Sequence, residues 1–176
     1  MSQNLSIRDA RETGPRPDLG VVIVSYNVCE LLRANLKSVF ESQGEGSMEV
    51  IVVDNASRDT SAEMVRTEFP QAYLIANKHN AGFAGAVNQG IAATRSRHIL
   101  LLNPDMHVEK DSLARTIAYA DQAQTEKVAV IGGLLRTQQG TVLPTVRRFP
   151  DLASQLAIVL KLPHLFPHLA SLKKYY

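Results

Sequence analysis

Val50-Ile51-Val52-Val53-Asp54-Asn55-Ala56-Ser57 is a run of branched aliphatic residues that stops abruptly on polar, turn-forming ones. The apolar residues do not alternate with polar ones, which suits a strand buried on both faces of a parallel sheet. The same switch follows Val21-Val22-Ile23-Val24, which gives way to Ser25-Tyr26-Asn27, and Ile99-Leu100-Leu101-Leu102, which gives way to Asn103-Pro104-Asp105. A further apolar run is Ala72-Tyr73-Leu74-Ile75. Between these runs apolar residues recur at helical spacing: Leu31, Leu32, Leu36, Val39 and Phe40, then Ala62, Met64, Val65 and Phe69, then Ala84, Val87, Ile91 and Ala92. Alternating strands and helices predict right-handed crossovers and an α/β fold with an open, mostly parallel, doubly wound sheet.

Punctuation supports that reading. Asn27 and Asp111 stand where helix caps are wanted, Pro70 ends the second helix, and Gly44-Glu45-Gly46 marks the loop into the second strand. Beyond Val128-Ala129-Val130-Ile131 the pattern changes. Leu134-Leu135, a Gln138-Gln139-Gly140 turn and Thr141-Val142-Leu143 predict a hairpin.

The composition, 45% hydrophobic and 20% charged in 176 residues, is that of a globular domain with a real core. The net charge of +2 comes from scattered Lys and Arg, so there is no basic stripe for nucleic acid. Cys29 is the only cysteine; it permits neither an internal disulfide nor a Cys-rich zinc site, and it suits a small hydrophobe in a helix in a reducing compartment. Met1 to Asp18 is polar, with no apolar signal-peptide core, and reads as a disordered leader. The longest apolar stretch, Leu156 to Leu160, falls far short of the roughly 20 residues a membrane-spanning helix needs. A cytoplasmic location is expected. The tail from Asp151, carrying Lys161, Lys173 and Lys174, suits either a peripheral membrane contact at the inner face or the opening of a further domain.

In a parallel sheet the three polar strand ends share one edge, and open α/β sheets bind ligands in the crevice beyond it. Asp54 and Asp105 should therefore face a common cleft. Neither G-x-G-x-x-G nor a P-loop motif is present, so a diphosphate here needs another counter-charge. A divalent cation on Asp105 suits that role, because Mg2+ and Mn2+ take oxygen ligands and use few protein carboxylates when substrate phosphates complete the shell. Asp54, an acceptor only when ionised, suits the imide N–H of uracil or thymine. Plainer readings stand beside these. Asp54 to Ser57 also reads as a helix-capping turn, Asn103-Pro104-Asp105 as a strand-ending turn, and Phe83 as a core residue. His79, His98, His107, His164 and His168 show no convincing metal-ligand pattern. Asn55-Ala56-Ser57 fits a glycosylation acceptor, but no secretory signal accompanies it.

Taken in order, Val22 to Asn27, Val52 to Ser57, Asn80-Ala81-Gly82-Phe83-Ala84 with Asn88, and Leu101 to Asp105 resemble successive motifs of GT-A-fold family 2 glycosyltransferases, especially the rhamnosyltransferase-like branch. Arg147-Arg148-Phe149-Pro150 is similar to a further motif of that branch, so the resemblance runs from about Gly20 to Pro150. It implies that Ser25, Tyr26 and Asn27 meet the nucleoside and Asp54 the base. Asn55 and Ser57 belong to the same donor site, and Asn80, Gly82, Phe83 and Asn88 border the nucleotide-sugar pocket. Asn103-Pro104-Asp105 stands in place of the family's Asp-x-Asp, with Asp105 as metal ligand and Asn103 where the first Asp would be. The implied partners are a UDP- or dTDP-linked sugar, Mg2+ or Mn2+, and a glycan or lipid-linked acceptor.

The family's later acidic motif, which supplies the base for an inverting transfer, has no counterpart before Tyr176. Glu109, Asp111 and Asp121 read as helix-end and surface charges. The expected organisation is a leader (1–18), a nucleotide-sugar-binding part (19–150) and a helical tail (151–176) that opens a missing catalytic half. Two functions fit: an inverting sugar transferase whose base comes from elsewhere, or a non-catalytic nucleotide-sugar-binding or regulatory module. A nucleotidyltransferase is disfavoured because the glycine-rich basic loop after the first strand is missing. Apolar surface left by truncation would favour a homodimer, or cover by Leu152, Leu156, Val159, Leu160, Leu162, Leu165 and Phe166.

Overall fold

The computed structural model describes residues 14–42, 46–122 and 128–143. The chain divides into two compact units, residues 1–127 and 128–176. In the first, strands and helices alternate as β1 (Leu19–Ser25), α1 (Cys29–Glu41), β2 (Met48–Asp54), α2 (Ser61–Glu68), β3 (Tyr73–Ala76), α3 (Gly82–Ala93), β4 (His98–Leu102) and α4 (Ser112–Ala120). The strand order is β3-β2-β1-β4. Every pairing is parallel: β1 runs beside β2 from Leu19 opposite Met48 to Ser25 opposite Asp54, and beside β4 from Leu19 opposite His98 to Ile23 opposite Leu102. The expected open parallel sheet is the fold.

Because successive strand residues face opposite ways, each buried run feeds two cores. Val21, Ile23, Val50 and Val52 meet Leu32, Leu36 and Val39 of α1, Met64 and Val65 of α2, and Leu113 of α4. Val22, Ile51 and Val53 turn to the other face and pack on Ala86 of α3. Helices thus cover both faces, and each fully buried Val, Leu or Ile contributes about 1.5–3 kcal/mol. Gly90 lets α3 lie close to the sheet, since a Cβ there would collide with Val22 Cγ1. On the α3 side of β4, Ile99 and Leu101 stay exposed.

Several expectations change. Asn27 does not cap α1; the N-cap is Val28, without a side-chain bond, and Asn27 adopts a left-handed conformation (φ 55°). Asp111 is the N-cap of α4 but its carboxylate meets Arg115 instead. Ala72 lies outside β3. Of the expected leader, Arg16 and Asp18 are tied down: Arg16 donates to the carbonyls of Arg95 and Ser96, and Asp18 accepts from Ser47 and Arg97. The rest of the leader (1–13), Gly44-Glu45, Arg147 to Pro150 and the tail lie outside the described residues.

In the second unit, Val128 to Ile131 form no strand. The hairpin is a single antiparallel bridge, Arg136 to Val142, closed by a turn in which Gly140 takes φ +83°. Leu143 N–H donates to the Leu135 carbonyl at 2.9 Å. Among the described residues no helix is long and apolar enough to cross a membrane.

Candidate functional site

The parallel register brings the carboxyl ends of β1, β2 and β4 to one edge, with Ser25 beside Asp54 in adjacent strands. Asp54 shares the parity of Val50 and Val52, so it faces the α1–α2 side. It is 3% exposed. One carboxylate oxygen accepts from Ser57 N–H at 3.1 Å; the other, Oδ1, is buried with no partner, and so is the Oγ of Ser25. An unpaired buried polar group costs about 1–3 kcal/mol. Tyr26, immediately after Ser25, exposes nearly half its surface.

The loops that follow β1 and β2 are laced together. Asn27 N–H donates to Ser57 Oγ at 2.9 Å, and Arg58 N–H returns to Asn27 Oδ1 at 2.7 Å. Asp59 then serves two helices at once, since Oδ2 accepts from Cys29 N–H, the first residue of α1, and Oδ1 from Ser61 N–H, the first of α2. Neither helix has a capping side chain of its own. Burial raises the Asp59 pKa, but the bonds from Ser61 and Cys29 outweigh it and hold the carboxyl below its ordinary value. Ala56 sits at φ 66°, a left-handed conformation that costs a non-glycine residue about 1–2 kcal/mol.

Asn55, expected to contact the donor, is turned inward and 3% exposed. Its amide donates to Asn80 Oδ1 (2.8 Å) and the Gly82 carbonyl (3.3 Å), and its oxygen accepts from Asn77 Nδ2 (3.1 Å) and Ala81 N–H (2.9 Å). All four positions are filled within the chain, so Asn55 shapes the 77–82 loop. Asn80 Oδ1 also receives Gly82 N–H, and Gly82 takes φ +72° at the start of α3. Phe83 is 64% exposed, which removes the core reading. Asn88 is exposed on α3.

On the far side of β1, Asn103 and Asp105 are exposed. The Asp105 carboxylate has no hydrogen bond or ion pair among the described residues. Among the described residues no group of three or more His, Cys, Asp or Glu could hold a metal ion, so Asp105 would need substrate phosphates to complete a Mg2+ or Mn2+ shell. The turn carrying it is held from α1, where Asn35 Nδ2 donates to the carbonyls of Asn103 (3.2 Å) and Met106 (2.7 Å) and Ser38 Oγ accepts from Val108 N–H (3.0 Å). Asn35, Ser38, Asn77 and Asp59 escaped the sequence reading. For the first two a signal existed: they are polar residues on the stripe otherwise made by Leu32, Leu36 and Val39.

Residues 20–175 match the profile described as Glycosyl transferase family 2. The chain belongs to that family. Its relatives include the Succinoglycan biosynthesis protein ExoO of Rhizobium meliloti, 37% identical over 108 residues, covering 61% of this chain and 31% of that one. The N-acetylglucosaminyl-diphospho-decaprenol L-rhamnosyltransferase of Mycobacterium tuberculosis is 26% identical over 145 residues, 76% of this chain and 46% of that one. A rhamnosyltransferase is thus one of several distant relatives of this family 2 chain, which spans less than half the length of either protein.

Among solved structures, the family 2 chain resembles the mannosyltransferase PcManGT from Pyrobaculum calidifontis in complex with GDP-Man and Mn2+, with a TM-score of 0.56 at 22% identity over 69% of this chain and 40% of that one. S. aureus TarS in complex with UDP-GlcNAc gives 0.53 at 21% identity over 59% and 31%. These likenesses establish the GT-A fold.

Proposed function

We propose that the chain binds a nucleoside diphosphate sugar and a divalent cation as the donor half of an inverting glycosyltransferase acting in polysaccharide or cell-wall synthesis. The observation that carries it is the shared edge: Asp54 with an unpaired buried oxygen on one side of β1, and Asp105, exposed and without a hydrogen bond or ion pair among the described residues, on the other. The family membership supports it, as do the nucleotide sugars and Mn2+ held by proteins of the same fold.

In this reading Asp54 accepts an imide N–H of the base once the loop over its buried Oδ1 shifts to admit it, while the exposed ring of Tyr26 offers a face for stacking. The 77–82 loop, fixed by Asn55, presents Asn80, Gly82 and Phe83 along the donor, with Asn88 further along α3. Asp105 would hold the cation, which when bound offsets charge developing on the diphosphate as the sugar departs. Inversion also needs a base on the opposite face of the sugar. We assign that base to a residue outside the described ones, and the acceptor to a glycan or lipid-linked sugar met at the cytoplasmic face of a membrane.

Calorimetry of the chain with UDP, dTDP and GDP, each with and without Mn2+, tests the reading. Asp54→Ala should weaken nucleotide binding at least about tenfold, the scale of one lost hydrogen bond to a charged group. Asp105→Ala should abolish the Mn2+ dependence; full metal-dependent binding by that variant would remove its assigned role. Binding without donor hydrolysis or transfer would favour the non-catalytic module.

A further inference from the structure

We propose that Asn35 and Ser38, buried on α1, are positioning residues for Asp105: they fix the backbone that carries its carboxylate and touch neither cation nor donor. The inference rests on the reading of Asp105 as the metal-bearing residue. Asn35 is 1% exposed and Ser38 4%, on a stripe where Leu32, Leu36 and Val39 are each fully buried. Apolar side chains would pack there. Instead, the two Asn35 amide hydrogens go to the carbonyls of Asn103 and Met106, the residues that bracket Pro104-Asp105.

Ser38 extends the grip. Its hydroxyl donates to the Asn35 carbonyl at 2.7 Å and accepts from Val108 N–H at 3.0 Å, while Met106 N–H closes the turn onto Asn103 O at 3.2 Å. One turn of helix thus fastens both ends of the segment. The Asn35 amide can be oriented only one way, because its oxygen would otherwise face two carbonyls. That leaves Oδ1 buried without a partner. The unpaired oxygen offsets much of what the two amide bonds contribute to stability. What Asn35 secures is the geometry of the 103–108 turn. Asp105 makes no hydrogen bond or ion pair among the described residues, so its placement comes from this backbone. Side chains that orient a metal ligand typically matter about 10–100-fold in metal affinity.

The experiment titrates Mn2+ into the 176-residue chain with saturating UDP, following free Mn2+ by electron paramagnetic resonance, and measures metal-free UDP binding separately. Asn35→Leu should weaken Mn2+ about 10–100-fold and Ser38→Ala by less, with metal-free UDP affinity within about twofold of the parent. Amide exchange at Met106 and Val108 should accelerate in both. A folded Asn35→Leu with parental Mn2+ affinity overturns the inference; if that variant fails to fold, parental affinity in Ser38→Ala does so. Asp105→Ala separates the two claims. If it abolishes Mn2+ binding while the α1 variants do not, only positioning falls; if it leaves Mn2+ binding intact, the reading of Asp105 falls and takes this inference with it.

Discussion

Asn55 fastens the loop on one side of the site and Asn35 the turn on the other, both almost fully buried, yet only Asn55 has every hydrogen-bonding position filled. A satisfied buried network specifies one conformation strongly, since every member loses its partner if one is removed. Asn35 grips two carbonyls with its amide while its oxygen goes unpaired, so its bonds and its burial pull in opposite directions. The 77–82 loop is held by a device that also stabilises the fold. The 103–108 turn is held by one whose orphan oxygen offsets part of that gain.

The largest test of that contrast is Asn55→Ala, which leaves Ala81 N–H without its side-chain acceptor and takes one bond each from Asn77, Asn80 and Gly82. Urea unfolding should show a loss of about 3 kcal/mol. Asn35→Leu takes the amide from the Asn103 and Met106 carbonyls but removes an orphan oxygen and fills an apolar stripe, so the same measurement should show a smaller loss, about 1 kcal/mol; equal losses at the two sites would erase the distinction. Asp59 tests the lacing between them. Asp59→Asn should cost about 1 kcal/mol, the scale of a helix cap. Because its carboxyl is held below the ordinary value of 3.8, the charge-dependent part of its contribution is full above that value and disappears as pH falls through the lower, folded one. The melting-temperature gap between parent and variant should therefore be constant from about pH 7 to 5 and narrow toward pH 2. The smallest stability effect is expected at Phe83, whose exposure predicts that Phe83→Ala shifts unfolding by under about 0.5 kcal/mol. Its donor affinity should fall nonetheless, and an unchanged affinity would take Phe83 out of the pocket.

The strands were legible because unbroken β-branched runs such as Val50 to Val53 have few places to go except a doubly covered parallel sheet. The edge was legible for the same reason, since strands that run one way end together. Roles within the edge were harder. Asn55 and Ser57 share a motif with Asp54, but the structure spends Asn55 on the 77–82 loop and Ser57 on Asn27. Asn35 was passed over in a stripe read only for its apolar residues.

Local chemistry in the chain therefore determined the architecture and the common edge: burial pattern and strand direction are properties of short segments. Only the tertiary structure decided which polar side chains face each other and which stay exposed. The partners of Asn35 lie 68 and 71 residues away and those of Asn55 at 22 to 27, and such distances close only when helices settle on the sheet.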